Sequence, residues 1–447
     1  MTDVPAPTGT RTRWHNWAGN QRADIDVVHP ASAAEVAELL IAAAAAGRRV
    51  RPIGSGHSFS AIGRPVDVQL GCGRLDSIGE VSDDGLVTVG AGTTLNRLNA
   101  ELIRSGWSLT NLGDIDRQTV AGALATGTHG TGARFGGLAT QVRALELVTP
   151  SGEVLRCDAD DHPDVFAAAR VGLGALGVVT AVTLQVVPAF ALRAVEGPGT
   201  LTGALDDFEA LMTSTDHVEF YWFPHTDATL LKCNTRAPLV ELAPLPRWRA
   251  VWDDEILANG AFAGVVATGR RIPALIPPLA RMSAKSIAAR SWTDHAHRVF
   301  VSRRRVRFLE MEYAVPRAEA PGVLAELRRV HEAADWHAAF PVEVRLAAAD
   351  DVPLSMASGR DTAYIAAHVP AGTEPGPWFA ALEAMAGEVG GRPHWGKLHG
   401  LAAGALRARY PRFDEFVALR DRLDPGGVLG NAYLDRVLGP IGGARPA

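Results

Sequence analysis

The stretch Arg51-Pro52-Ile53-Gly54-Ser55-Gly56-His57-Ser58 sets the reading of this chain. Consecutive small residues let successive backbone N–H groups turn toward one point, a geometry that cradles a phosphate. Arg49-Val50 leads in as a strand, and His57 puts an imidazole beside whatever carries that phosphate. No Lys-Ser/Thr follows the glycines, so the loop is not a P-loop. Taken alone, it reads equally well as a glycine-rich surface turn with an incidental histidine.

A second cluster, Ala125-Thr126-Gly127-Thr128-His129-Gly130-Thr131-Gly132, follows about seventy residues later. Two loops rich in glycine and hydroxyls within one small region suit the two ends of an extended dinucleotide. A tight turn held by threonine hydroxyls is the plainer reading of the second loop alone. Gly172-Leu173-Gly174-Ala175-Leu176-Gly177 matches G-x-G-x-x-G, which in a dinucleotide fold follows a strand and opens a helix. Here the helical stretch Asp164–Arg170 precedes it and a strand, Val178 to Val187, follows. The order is reversed, so a Rossmann site is rejected and the glycines are kept as backbone for close approach.

Outward from these loops the pattern is mixed. Ser32-Ala33-Ala34-Glu35 is a capping box opening a helix closed by Gly47. Val66–Leu70 and Leu86–Val89 read as strands, and Thr94 opens a helix to about Ser105. After Pro188 longer strand-like runs appear at 218–223, 306–315, 342–346 and 363–369, separated by helices and by Pro-rich connectors such as 243–246 and 272–278. That texture predicts an α+β second domain with a broad antiparallel sheet. A terminal helix near 410–423 precedes the turn Asp424-Pro425-Gly426-Gly427 and a short segment, 431–438.

Composition narrows the function. With 447 residues, 47% of them hydrophobic, the chain has room for two or three domains. A net charge of −5 without a Lys/Arg-rich run gives no electrostatic reason to expect nucleic acid. Cys72, Cys157 and Cys233 are far apart and odd in number, fitting neither a disulfide framework nor a metal site. The N-terminus has no apolar core, and the run from Val171 to Leu192 is broken by glycines and Pro188. A cytoplasmic protein without stable membrane insertion is expected.

In the second domain Glu343-Val344-Arg345 puts two charges on one sheet face, either orienting a polyhydroxylated substrate or standing as a solvated edge pair. His394-Trp395-Gly396-Lys397-Leu398-His399 lacks a partnering ligand at metal spacing, so no metal is expected. Lys397 offers a fixed positive charge, and His368, closing its strand, faces the same cavity or sits satisfied in the core.

Together these segments resemble the FAD-linked enzymes of the vanillyl-alcohol-oxidase type, in their sugar-lactone branch of L-gulono-1,4-lactone and D-arabinono-1,4-lactone oxidases or dehydrogenases. Alditol oxidases are near relatives. The carriers are the loop at 51–58, Asn111-Leu-Gly-Asp114, Thr119-Val-Ala-Gly-Ala, the loop at 126–132, and Leu173-Gly-Ala-Leu-Gly-Val-Val179. Glu219-Phe-Tyr-Trp-Phe-Pro-His225, Val342–Arg345, Gly391–Lys397, Leu423-Asp-Pro-Gly and Asn431-Ala-Tyr-Leu434 complete the set.

The resemblance implies an α+β architecture: a two-subdomain FAD-binding domain over 1–188, a substrate domain with a broad antiparallel sheet over 189–423, and a segment, 424–447, returning to the first. It implies that Pro52, Ile53, Gly54, Ser55, Gly56, His57 and Ser58 bind the FAD pyrophosphate, with His57 bonded covalently to the flavin. Thr119, Gly127, Thr131, Gly132, Ala133 and Arg134 would line the flavin and Val179 the adenine end. Glu343, Arg345, His368 and Lys397 would surround the substrate, a sugar lactone or polyol. The acceptor would be oxygen, a cytochrome or a dye. A protein that kept the fold and the flavin but lost catalysis is the alternative from another class.

Overall fold

The computed structural model describes residues 10–246, 262–302, 306–334 and 336–442. Residues 1–9, the start of the segment read above as having no apolar core, and 443–447 lie outside that range. Three sheets carry the architecture. The first has the strand order Thr10–His15, Arg22–Val28, Val68–Gly71, Val50–Ile53, its last two pairings parallel. Helix Ala33–Ala45 covers it with Val36, Leu39 and Leu40. Ser32 caps that helix through the Glu35 amide, and Glu35 reaches back to the Ala31 amide.

The second sheet is antiparallel: Leu86–Gly90, Val178–Gln185, Val142–Val148, Val154–Asp158. Strand Val178–Gln185 alternates buried and half-buried residues, as a strand with one core face must. The third sheet has eight strands, all neighbours antiparallel: Arg290–His295, Ala191–Thr200, Ala228–Ala237, His217–Trp222, Val342–Ala347, Thr362–Pro370, Phe308–Pro316 and Arg392–Pro393.

The two faces of this broad sheet differ. Val342, Val344, Leu346 and Ile365 pack on helices Ala320–Ala333 and Gly376–Glu388 through Leu324, Leu327, Phe379 and Leu382. The opposite face carries the charges, and its Ala314, Ala347 and Tyr364 join the core of the second sheet. Gly132 N–H donates to Leu346 O at 2.9 Å, and Ala348 N–H to Phe135 O at 3.0 Å, so the 128–135 loop is stitched to the sheet's backbone.

The 272–278 stretch, read as a Pro-rich connector, is a 3₁₀ turn followed by helix Ile276–Lys285. Its prolines fall in the first helical turn, where no intrahelical amide donor is required. The segment after Asp424 folds back on the first sheet: Val50 N–H donates to Val428 O, and Asn431 Nδ2 to the carbonyls of Ala61, Ile62 and Arg64. No helix among the described residues is long and apolar enough to cross a membrane.

Candidate active site

Strand Val50–Ile53 delivers the glycine loop onto a cleft of about 1140 Å³, counting its open mouth. Every residue from Pro52 to Ser58 lines it, as do Thr119 and Val179. Gly54 is required by crowding: a Cβ there would stand 2.1 Å from Thr119 Oγ1. That hydroxyl accepts from Gly122 N–H and caps helix Val120–Ala125. Gly56 has φ +66°, the left-handed region that a Cβ disfavours.

The loop's carbonyls are tied behind it. Trp17 N–H donates to Gly56 O at 2.8 Å and Asn16 Nδ2 to Ser58 O at 2.9 Å. The peptide geometry then turns the His57 N–H away from Trp17. Among the described residues, no protein acceptor meets the amides of Ser55, Gly56, His57 or Ser58. Unclaimed consecutive donors, in a cleft whose lining holds no carboxylate, suit a pyrophosphate. The residues present fit FAD.

Arg51 does different work. Its buried guanidinium donates to the carbonyls of Ile62, Leu173, Gly174 and Leu429, and burial pushes its pKa down to about 10. It knots the loop to the G-x-G-x-x-G segment, where helix Pro163–Ala169 precedes and strand Val178–Gln185 follows, the reversed order. Leu173 sits at φ +55°, held there by its own amide on Ala125 O and by Arg51 on its carbonyl. Gly172, Gly174 and Gly177 bring bare backbone to the cleft wall.

Glu343, Arg345, His368 and Lys397 converge on the charged face of the eight-stranded sheet. Arg345 forms a short contact with Glu343, donates to Glu219 at 2.8 Å and lies 3.4 Å from Asp114. Tyr221 donates to Glu343 at 2.6 Å. Burial opposes the Arg345 charge, but Glu343, Asp114 and Glu219 outweigh it and hold the pKa well above the ordinary range. Lys397 makes a short contact with Glu310 and lies 3.8 Å from Glu312. Burial works against its charge too, yet the two carboxylates raise its pKa. Burial would raise Glu310, but Lys397 and then His368 bring it down to about 2. His368 stands 3.6 Å from Glu310, its Nδ1 3.3 Å from Pro341 O. One oxygen each of Glu310 and Glu343 and one His368 nitrogen lie within 4.8 Å of one another. All four sequence-chosen residues therefore share one site, with two fixed cations.

The remaining candidates lie elsewhere. Gly127, at φ +76°, backs onto Met356 rather than lining the cleft. Thr131 donates to Val218 O, Gly132 pairs with Ala347, and Arg134 is an exposed partner of Asp216. The structure places Thr131 to Arg134 at the seam with the sheet instead of on the cleft. Asp114, Glu219, Glu310, Glu312 and His129 received no individual role from sequence. Asp114, Glu219 and His129 stand inside stretches that carried the resemblance, whereas Glu310 and Glu312 alternate on strand Phe308–Pro316 just as Glu343 and Arg345 do on theirs.

Two family models match: "D-arabinono-1,4-lactone oxidase" over residues 182–437 and "FAD binding domain" over 26–158. An L-gulono-1,4-lactone dehydrogenase of Mycobacterium tuberculosis is 42% identical over 429 residues, covering 96% of this chain and 99% of that protein. An L-gulonolactone oxidase of Bos taurus is 33% identical, covering 95% and 98%. A solved structure titled solvent-stable cholesterol oxidase superposes with TM-score 0.83 at 19% identity, covering 96% of this chain and 98% of that one, which shows a shared fold. The chain belongs to the D-arabinono-1,4-lactone oxidase family, FAD-dependent oxidoreductases that act on CH–OH groups.

Proposed function

We propose that this protein oxidises the 2-hydroxyl of an aldono-1,4-lactone, L-gulono- or D-arabinono-1,4-lactone, to a product that tautomerises to an ascorbate-type enediol. Residues 1–188 serve as the FAD-binding domain, 189–423 as the substrate domain, and 424–447 as a segment returning to the first. Pro52 to Ser58 hold the pyrophosphate and His57 anchors the flavin covalently. FAD bound there would supply the two-electron acceptor for the hydride that leaves the carbinol carbon. Lys397 and Arg345 bind the reacting hydroxyl and stabilise its oxygen as its proton passes to solvent on the partly exposed Lys397 side. Glu343 is occupied by Arg345 and Tyr221, which suits it to fixing the guanidinium more than to taking the proton. His368 completes the wall on the Glu310 side.

The observation that carries this reading is the pair of cations, buried Arg345 and half-buried Lys397, each held by carboxylates, at the sheet face that the 128–135 loop joins to the FAD-binding half. Fixed positive charge held beside a hydroxyl favours an alcohol losing its proton. Anaerobic addition of L-gulono-1,4-lactone, D-arabinono-1,4-lactone or xylitol to the yellow holoenzyme tests it. At least one lactone should bleach the flavin absorbance. Bleaching by xylitol alone would make the protein an alditol oxidase, and no bleaching by any would make it a non-catalytic flavin protein. Re-oxidation by oxygen against a cytochrome or dye then identifies the acceptor.

A further inference from the structure

His129 belongs to the second glycine cluster, yet it takes no part in the cleft. Its ring is buried and its two nitrogens both face oxygen: Nδ1 lies 2.9 Å from Gly130 O and Nε2 lies 2.7 Å from Glu312 Oε1. A neutral imidazole donates from one nitrogen only, so an acceptor at each is satisfied by the doubly protonated ring. Tyr364 stacks on it with centroids 3.5 Å apart, and His394 lies 5.8 Å away. His394 accepts from Gly396 N–H through Nδ1, and so gives its neighbour no carboxylate-like partner. Glu312, Tyr364, His394 and, beyond Glu312, Lys397 are the titratable groups around His129.

Glu312 joins His129 to the reacting centre, since its other oxygen lies 3.8 Å from Lys397 Nζ. The lysine thus sits between two buried carboxylates of unequal claim. Glu310 holds it closely, while Glu312 shares its charge with His129. The backbone of the lysine segment is pinned to the same strand, with His394 N–H on Glu312 O and Leu398 N–H on Glu310 O. With the backbone fixed, the ammonium's place is set by the balance between the two carboxylates. Charge at His129 weakens the pull of Glu312 and leaves Lys397 on Glu310, the side that adjoins Glu343 and His368.

We propose that His129 is a positioning residue: as a buried cation it neutralises Glu312 and thereby keeps the Lys397 ammonium at the reacting hydroxyl. The inference rests on Lys397 acting in the oxidation proposed above. It also gives the FAD-binding loop a direct line to the lysine on the sheet, because His129 and Glu312 come from the two halves of the molecule.

The test is a double-mutant cycle in the holoenzyme, scored on whichever lactone the wild type oxidises better. His129→Gln keeps an N–H donor but loses the charge, and should lower kcat at least tenfold with KM within threefold. Glu312→Gln removes the competing carboxylate and should cost less kcat than His129→Gln does. The double variant should be no slower than Glu312→Gln alone, because His129 then has nothing left to neutralise. Multiplying effects, or a wild-type kcat in His129→Gln, overturns the proposal. Nitrogen-15 spectra of histidine-labelled wild type, with His129 assigned by its loss in His129→Gln or its shift in Glu312→Gln, should show both ring nitrogens protonated at the pH of fastest turnover. A neutral tautomer there overturns it even if the variants fold poorly. Failure of the lactone reading is separate, because it appears as a wild type that oxidises neither lactone.

Discussion

An imidazole bonds to carbon through a nitrogen lone pair, and a protonated ring has none to offer. Burial, then the nearby charges of Lys397 and Arg117, push His57 down to about 4, so its ring is neutral at any ordinary working pH. Trp17 lies against it, nearly parallel, with centroids 6.0 Å apart. Gly56 O is held by Trp17 N–H, which fixes the backbone on the same side. A neutral, orientated ring on the cleft wall is what covalent attachment of a cofactor asks for. We therefore expect acid-denatured wild type to keep its yellow colour on the polypeptide, and His57→Ser to release it to the supernatant. Release from the wild type would leave His57 as a neighbour of the flavin and nothing more. The residue was conspicuous in the sequence because it follows Gly54-Ser55-Gly56. Its depressed basicity was not, since Lys397 and Arg117 are far from it along the chain.

The eight-stranded sheet turns local alternation into a long-range charge ladder. Arg290, Glu196, Lys232, Glu219 and Arg345 stand directly opposite one another across five adjacent strands, alternating in sign. Glu219 is its hinge, 3.2 Å from Lys232 and 2.8 Å from Arg345; burial would raise its pKa, but those two cations hold it at about 2. Removing one member of a buried network strands the others, at a cost of about 3–5 kcal/mol. Glu219→Ala should lose that much stability in urea unfolding; a loss under about 1 kcal/mol is the signature of an exposed pair and would deny the ladder its role. Sequence revealed that Glu343 and Arg345 share a face, because a strand's period is two. It could not reveal their partners, since Glu219 reaches Arg345 only through strand register. Strand Ala191–Thr200 was missed for a related reason. Its Gly197-Pro198-Gly199 reads as a break, but strand Arg290–His295 pairs only as far as Glu196. Beyond that residue no strand among the described residues pairs on that edge, where a proline's missing N–H does no harm.

Over the whole molecule, the buried titratable groups make acid stability a property of the seams between sheets. His217, His394 and His399 are held down to about 4, 3 and 3, in each case chiefly by burial. An unfolded chain takes up protons on histidine near pH 6.5, while the native protein refuses them until about 3–4, so stability falls as pH drops below 6.5. The carboxylates Glu219 and Glu310, held near 2 against an ordinary 4.5, contribute stability above that value and lose it as pH falls further. The histidines therefore titrate first, the carboxylates second. His399 separates the two phases cleanly. Its Nε2 lies 2.9 Å from the Tyr433 hydroxyl, which donates in turn to Trp395 O, joining the lysine segment to the returning C-terminal helix Ala432–Leu438. Glutamine at 399 keeps a polar partner for Tyr433 and removes the titration. In His399→Gln the slope of unfolding free energy between pH 6.5 and about 4 should be shallower by up to one proton, about 1.4 kcal/mol per pH unit. Below about pH 3, where native His399 is protonated as well, the slope is set by the carboxylates and should stay as in the wild type. Urea unfolding at half-unit pH intervals measures both, and identical slopes above pH 4 would mean that His399 exchanges protons as freely in the folded protein as in the unfolded chain.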